Sequence, residues 1–259
     1  MATKYPIILV HGIMIKDILH FRAFGKIESV LRNEGNAVYT SDHDGFGRIE
    51  TNAEQIRRYI EKILKLEGAE KVNIIAHSKG GLDSLYMIDR LLMAKKVASV
   101  TYLCTPHKGS LMATKLYSLP RPVRGFIAFW LNFWFKIFGD KRPDALGVCE
   151  ELMHTPEGVI DCFYPHDGVF MQSYSTALKR SRDDFVMGIP LMFLRKWEDA
   201  PSDGLVTVES SKYRDYRGHC TDDSVSHSEI VDFMVSKKKK EKIYTFYKNL
   251  CRELEERGF

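Results

Sequence analysis

Val72-Asn73-Ile74-Ile75-Ala76-His77-Ser78-Lys79-Gly80-Gly81 runs from a short apolar segment into a corner of small residues. A small residue, any residue, Ser, any residue and Gly at the end of a strand is the pattern of a nucleophile elbow. The serine of such an elbow sits on a sharp, strained turn between a strand and a helix. Residues two before and two after it must be small so that the helix can approach the strand. Ala76 and Gly80 meet that demand, and Gly81 adds room. Leu82, Leu85, Ile88, Leu91 and Leu92 follow at helical spacing, which supplies the context the motif requires. The reading singles out one atom, Ser78 Oγ, as a site of covalent chemistry.

Around this corner the chain alternates. Tyr5–Val10 reads as a buried parallel strand ending in His11-Gly12, residues 20–34 as a helix stopping near Gly35, and Asn36–Thr40 as a second strand. Thr51–Leu66 is an amphipathic helix with Ile56, Ile60, Ile63 and Leu64 on one side. Val72–Ala76 and Val97–Cys104 are the third and fourth strands. Regular β-α alternation predicts a mostly parallel sheet flanked by helices, an α/β fold in a single domain. The pattern then breaks over residues 111–188, read as an insert, before a fifth strand at Pro190–Arg195, a sixth near Tyr213–Cys220 and a terminal helix over Lys239–Glu256. Sites on such sheets lie beyond the carboxyl ends of the strands. His11-Gly12, Ser78 and Thr105-Pro106 all fall at such ends.

A serine nucleophile needs a base, and the base needs an orienting acid. Behind an elbow of this kind the partners follow in the order Ser, Asp or Glu, His. Asp203 stands in a loop after the fifth strand, with Asp199 as its rival, and His227 stands in the loop after the last strand. His154, His166 and His219 read as structural or solvated. The oxyanion of an acyl-transfer intermediate needs preorganised donors. The backbone N–H groups of Lys79, next after the nucleophile, and of Ile13, in the loop after the first strand, fit that need, and the two side chains are incidental to it.

Here the chain resembles a known family. Tyr5-Pro6-Ile7-Ile8-Leu9-Val10-His11-Gly12, Ala76-His77-Ser78-Lys79-Gly80-Gly81, Thr105-Pro106-His107-Lys108-Gly109-Ser110 and Asp203-Gly204-Leu205-Val206 look like the corresponding blocks of bacterial triacylglycerol lipases of the α/β-hydrolase fold. The resemblance implies Ser78, Asp203 and His227 as triad and Ile13 with Lys79 as oxyanion donors. It implies a lipophilic acyl ester as substrate and no redox or organic cofactor. Some relatives bind a structural calcium near the histidine loop. Glu229 or Asp232, with Asp183 or Asp184, are the acids that could hold one here, and surface carboxylates explain them equally well. The zinc-binding subdomain of some larger relatives has no match. The same triad also suits an acyltransferase or a thioesterase, and a lipid-binding protein without turnover is the reading of another class.

Within the insert, Val123–Phe138 holds seven aromatic residues in sixteen: Phe126, Phe129, Trp130, Phe133, Trp134, Phe135 and Phe138. Arg124, Asn132 and Lys136 share one i, i+4 row with Ala128, leaving a narrow polar stripe and a very broad apolar face. At ~24 Å such a helix is too short to span a bilayer. Two readings follow: a lid that covers Ser78 and opens onto a lipid–water interface, or a permanently buried core helix.

Bulk composition is that of a soluble globular chain: 259 residues, 44% hydrophobic, 28% charged, net charge +4. The charge does not call for nucleic acid, and no nucleic-acid-binding signature is present. Lys237–Lys240 reads as a solvated helix start rather than a membrane-touching patch. Cys104, Cys149, Cys162, Cys220 and Cys251 are odd in number and lack metal-like spacing, so reduced thiols are expected, with Cys149–Cys162 as the one pairing to consider. No signal peptide begins the chain and no transmembrane segment occurs. A cytoplasmic location, or secretion with the leader removed, is expected.

Overall fold

Six short strands form one sheet, all parallel, in the order β2-β1-β3-β4-β5-β6. The computed structural model describes residues 2–13, 22–153 and 168–259. In chain order the elements are β1 (Ile7–Val10), α1 (Ile27–Asn33), β2 (Val38–Thr40), α2 (Ile49–Glu67), β3 (Val72–His77), α3 (Lys79–Arg90) and β4 (Val97–Leu103). Then come α4 (Leu111–Tyr117), α5 (Arg121–Ile137), α6 (Ala145–Glu151), β5 (Phe170–Ser175), α7 (Gly188–Trp197), α8 (Val208–Ser211), β6 (Asp215–His219) and α9 (Lys237–Glu256).

The strands are buried on both faces, so alternate side chains feed two cores. Ile7, Leu9, Ile75 and Leu103 point into one, shared with Ile27 and Leu31 of α1 and Ile243, Tyr247 and Leu250 of α9. Ile8, Val10, Ile74, Ala76, Val100 and Tyr102 point into the other, shared with Ile56 and Ile60 of α2 and Leu85 and Ile88 of α3. A third, smaller core joins Phe46, Ile49 and Leu82 to Ala128 of α5 and Val148 of α6.

The chain leaves β1 on one side to make β2 and returns on the other to make β3. That reversal is a topological switch point, and it opens a crevice at the carboxyl ends of β1 and β3. His11-Gly12 and Ser78 are the residues at those two ends.

Two elements differ from the sequence reading. Pro190–Arg195 is helical, part of α7, with Leu191 and Leu194 as its buried side chains. Their spacing of three is a helical one, and a run of consecutive apolar residues hides it. The fifth strand is Phe170–Ser175, so the stretch 111–188 contains a strand of the central sheet. It lacks an apolar pattern because, beside Met171, its buried residues Gln172, Ser173 and Ser175 are polar. Gln172 Nε2 donates to Thr101 Oγ1 at 3.1 Å and Ser173 Oγ to the Tyr213 carbonyl at 2.7 Å. Helix α1 begins at Ile27, later than expected. Among the described residues the cysteines, Cys104, Cys149, Cys220 and Cys251, are free thiols, while Cys162, His154 and His166 lie outside the described residues.

Candidate active site

Ser78 occupies the turn between β3 and α3 with φ 54° and ψ −134°. A non-glycine residue in this region carries strain of about 1–3 kcal/mol, and surrounding contacts must hold it there. Three glycines show how tight those contacts are. A β-carbon on Gly12 would come within 2.6 Å of Ser78 Cβ, one on Gly80 within 2.2 Å of the His11 carbonyl oxygen, and one on Gly81 within 2.0 Å of Thr105 Oγ1. The small residues of the elbow thus make room chiefly for neighbouring loops, those after β1 and β4.

Asp203 and His227 reach Ser78 from two further loops. His227 Nε2 lies 2.8 Å from Ser78 Oγ, and His227 Nδ1 lies 2.7 Å from Asp203 Oδ2. With Nδ1–H donating to the carboxylate, Nε2 is free to accept the serine proton. The other carboxylate oxygen of Asp203 accepts the N–H groups of Leu205 and Val206 at 2.9 and 2.8 Å. The His227 N–H donates to the Asp203 carbonyl at 3.0 Å, tying the two loops together. Asp203 and His227 are buried, and Asp199, the rival acid, is exposed.

The residues flanking His227 form a capping box: Ser226 N–H donates to Glu229 Oε2 at 3.0 Å and Glu229 N–H to Ser226 Oγ at 3.1 Å. The S-x-x-E spacing of Ser226 and Glu229 was the signal for it in the sequence. Beside the imidazole, the His77 ring lies 4.5 Å away and is held neutral by its burial and by His227.

Lys79 begins α3, and the first N–H groups of a helix have no partner within it. Its N–H is therefore available beside Ser78. Ile13 follows Gly12, on which a β-carbon would meet Ser78 Cβ, so the loop that carries Ile13 lies against the turn of Ser78. The Lys79 side chain has a role of its own. It is buried, with Nζ 2.7 Å from Asp83 Oδ1, while Asp83 Oδ2 accepts from Asn52 Nδ2 at 3.0 Å. Burial raises the Asp83 carboxyl to about 6 in spite of that lysine. The network underpins the first turn of α3.

Cys104 Sγ, Asp203 and His227 lie close enough together to suggest a metal site. The chemistry argues otherwise. Burial and the neighbouring Asp203 push the Cys104 thiol up, away from the thiolate a metal would need. The His227 and Asp203 atoms are already engaged with each other and with Ser78.

The acids considered for calcium do not fit that ion. Calcium takes six to eight oxygens at about 2.3–2.6 Å. Both oxygens of Glu229 lie 2.8 Å from Lys239 Nζ. Asp184 Oδ1 accepts the N–H groups of Val186 and Met187 at 2.6 Å, and its Oδ2 accepts from Ser226 Oγ at 2.6 Å. Asp183 is held by Ser224 and Arg180. Asp232 accepts from Lys26 N and Tyr244 Oη and pairs with Lys240 at 2.9 Å. Lys239 and Lys240 are thus the counter-ions of Glu229 and Asp232, and the lysine run is more than a solvated helix start.

Helix α5 meets Leu82 of α3 and Val148 of α6 through Ala128, Leu131 and Phe135, with Arg124 and Asn132 of its polar row half-buried and Lys136 exposed. Ala128 is buried, Asn132 Oδ1 accepts the Ala145 N–H at 2.8 Å, and Arg124 donates to the Tyr117 carbonyl. At its carboxyl end Asp140 accepts the N–H groups of Gly45 and Phe46 at 2.9 and 2.8 Å. The aromatic face points outward: Phe126 is 67% exposed and Phe129 62%, with Trp130, Phe133 and Trp134 also exposed. The permanently buried helix is excluded. Those rings pack against one another, from Phe126–Trp130 at 6.3 Å to Phe133–Trp134 at 5.7 Å.

Among the described residues no helix is long and apolar enough to cross a membrane. The chain matches triacylglycerol lipase 2 of Saccharomyces cerevisiae at 25% identity over 237 residues, covering 84% of this chain and 64% of that protein. It matches a triacylglycerol lipase of Pseudarthrobacter phenanthrenivorans at 39% identity over 116 residues, 42% of this chain and 35% of the relative. It therefore spans less than two thirds of the length of these curated relatives. A metagenomic carboxyl esterase superposes with a TM-score of 0.71 at 16% identity, covering 97% of this chain and 76% of that one. The model of the alpha/beta hydrolase fold family matches residues 5–216, and with the sheet, the elbow and the loop order described above the chain belongs to that family.

Proposed function

We propose that the protein is a serine carboxylic-ester hydrolase, a lipase or esterase, acting on lipophilic acyl esters such as acylglycerols. One observation carries the reading: the hydrogen-bonded line Ser78–His227–Asp203, with Ser78 held on a strained turn. His227 Nε2 takes the proton as Ser78 Oγ attacks the ester carbonyl, and Asp203 orients and stabilises the resulting imidazolium. The N–H groups of Lys79 and Ile13 receive the oxyanion. His227 returns the proton to the leaving alcohol, and water then releases the acid by the same steps in reverse order of roles. The yeast and bacterial relatives bear the name triacylglycerol lipase, which supports an acylglycerol substrate.

The lipophilic preference rests on α5. An aromatic face of this breadth turned to water is what a lipid surface would cover. Helix α7 adds Ile189, Met192 and Phe193, all exposed. In this reading α5 is the lid, carried on the connection between β4 and β5.

Hydrolysis of p-nitrophenyl butyrate by wild type and Ser78→Ala tests the chemistry. Ser78→Ala is expected to lose about 10⁴–10⁶-fold in kcat, and equal rates would refute the enzymatic reading. The Trp130→Ser/Trp134→Ser pair tests the surface. Its rate on an emulsified long-chain ester should fall further than its rate on a soluble short-chain ester, and an equal fall in both removes the lid.

A further inference from the structure

We infer that Lys239 is a positioning residue for His227, its ammonium acting as the built-in cation that holds the histidine loop in place of a metal ion. The inference rests on reading His227 as the catalytic base. Ser226, the residue before His227, is clamped twice: its N–H by Glu229 Oε2 at 3.0 Å, its hydroxyl by Asp184 Oδ2 at 2.6 Å. The two clamps come from different parts of the chain. Glu229 lies in the 3-10 turn Glu229–Val231, and Asp184 precedes α7. Lys239, on the first turn of α9, spans them. Its Nζ is 2.8 Å from each Glu229 oxygen and 3.2 Å from the Asp183 carbonyl oxygen. An ammonium has three protons, and these contacts use them. The Glu229 side chain is 5% exposed and that of Lys239 17%, so the pair is largely shielded from water and from salt.

Lys239 Nζ touches three of the oxygens in this cluster, both of Glu229 and the Asp183 carbonyl, so its charge already answers that of Glu229. A metal could enter only by displacing it. The arrangement therefore predicts metal-independent catalysis, with the setting of His227 dependent on one charge of α9.

The test compares wild type, Lys239→Met and Lys239→Arg in p-nitrophenyl butyrate hydrolysis, with and without EDTA, each checked for folding by circular dichroism. A second readout needs no turnover: the low-field proton resonance of the His227 Nδ1–H···Asp203 bond. EDTA is expected to leave the wild-type rate unchanged. Lys239→Met should lower kcat by about 10–100-fold with little change in KM, as a misplaced base does, and should broaden the resonance. Lys239→Arg should restore most of both. If Lys239→Met does not fold, Glu229→Gln, which keeps an acceptor for Ser226 N–H but removes the charge, is expected to lower kcat and broaden the resonance in the same direction. Loss of wild-type activity in EDTA would overturn the inference. So would a folded Lys239→Met, or a Glu229→Gln in its place, with wild-type kcat and an intact resonance. If wild type hydrolyses no ester, the hydrolase reading fails, and the resonance alone still decides the role of Lys239.

Discussion

Helices α5 and α9 are both amphipathic, and they are mounted in opposite senses. Helix α9 buries Ile243, Tyr247, Leu250 and Cys251 against the sheet and offers its lysines to nearby acids. Helix α5 buries only Ala128, turns Asn132 and Arg124 toward the body and leaves its aromatic side in water. Periodicity marks where the stripes of a helix lie. It does not say which stripe meets the protein. In α9 the apolar stripe is the one with a partner inside the molecule. In α5 only the edge of the apolar stripe, Leu131 and Phe135, packs against the body, Phe126, Phe129, Trp130, Phe133 and Trp134 are exposed, and Arg124 and Asn132 are held by hydrogen bonds.

Truncations on the two helices should separate them. Tyr247→Ala, in the core of α9, is expected to cost about 3–5 kcal/mol, read from urea unfolding, because its ring is fully enclosed. A cost below about 1 kcal/mol would mean that α9 packs less firmly than described. Asn132→Ala on the inward row of α5 is expected to cost about 1–3 kcal/mol by leaving the Ala145 N–H without its partner. Phe129→Ser, on the outward face, should change stability by no more than about 0.5 kcal/mol, and a larger loss would place that face against protein.

A fourth expectation concerns acid on the buried side. Burial lowers His107 to about 3, so it is neutral at pH 7 while the unfolded chain takes up a proton near 6.5. Below pH 6.5 the unfolded state binds more protons, and the contribution of His107 falls as the pH drops toward 3, by up to about 1.4 kcal/mol per unit. His107→Gln should flatten the fall in stability between pH 6 and pH 4, and an unchanged slope would show that other groups set it.

The sequence was most informative where function imposes local spacing. Ala76, Ser78 and Gly80 announce the turn because each size is demanded by a contact within a few ångströms. Asp203 and His227 were legible through their order and their place in loops, and the structure brings them together. It was least informative where polar residues are buried within the sheet. Strand β5 carries Gln172, Ser173 and Ser175 inside the sheet, and no apolar pattern betrays them. The apolar run at Pro190–Arg195 suggested a strand for the converse reason, since a short run fits either element. The pairing of Lys239 with Glu229 was hidden because chain position gives no hint that α9 folds back over the histidine loop.

The fastening of α5 has a consequence for how such a molecule can diversify. Asp140 grips the backbone amides of Gly45 and Phe46, and the Asn132 side chain grips the amide of Ala145. The receiving partners are main-chain groups, present whatever side chains stand at those positions. A replacement helix that keeps one asparagine and one terminal aspartate could therefore be seated without redesigning the body beneath it. The outward face takes no part in that seating, and Ser78, His227 and Asp203 stand on other elements. The molecule joins a helix seated through main-chain groups to a separate Ser78–His227–Asp203 line.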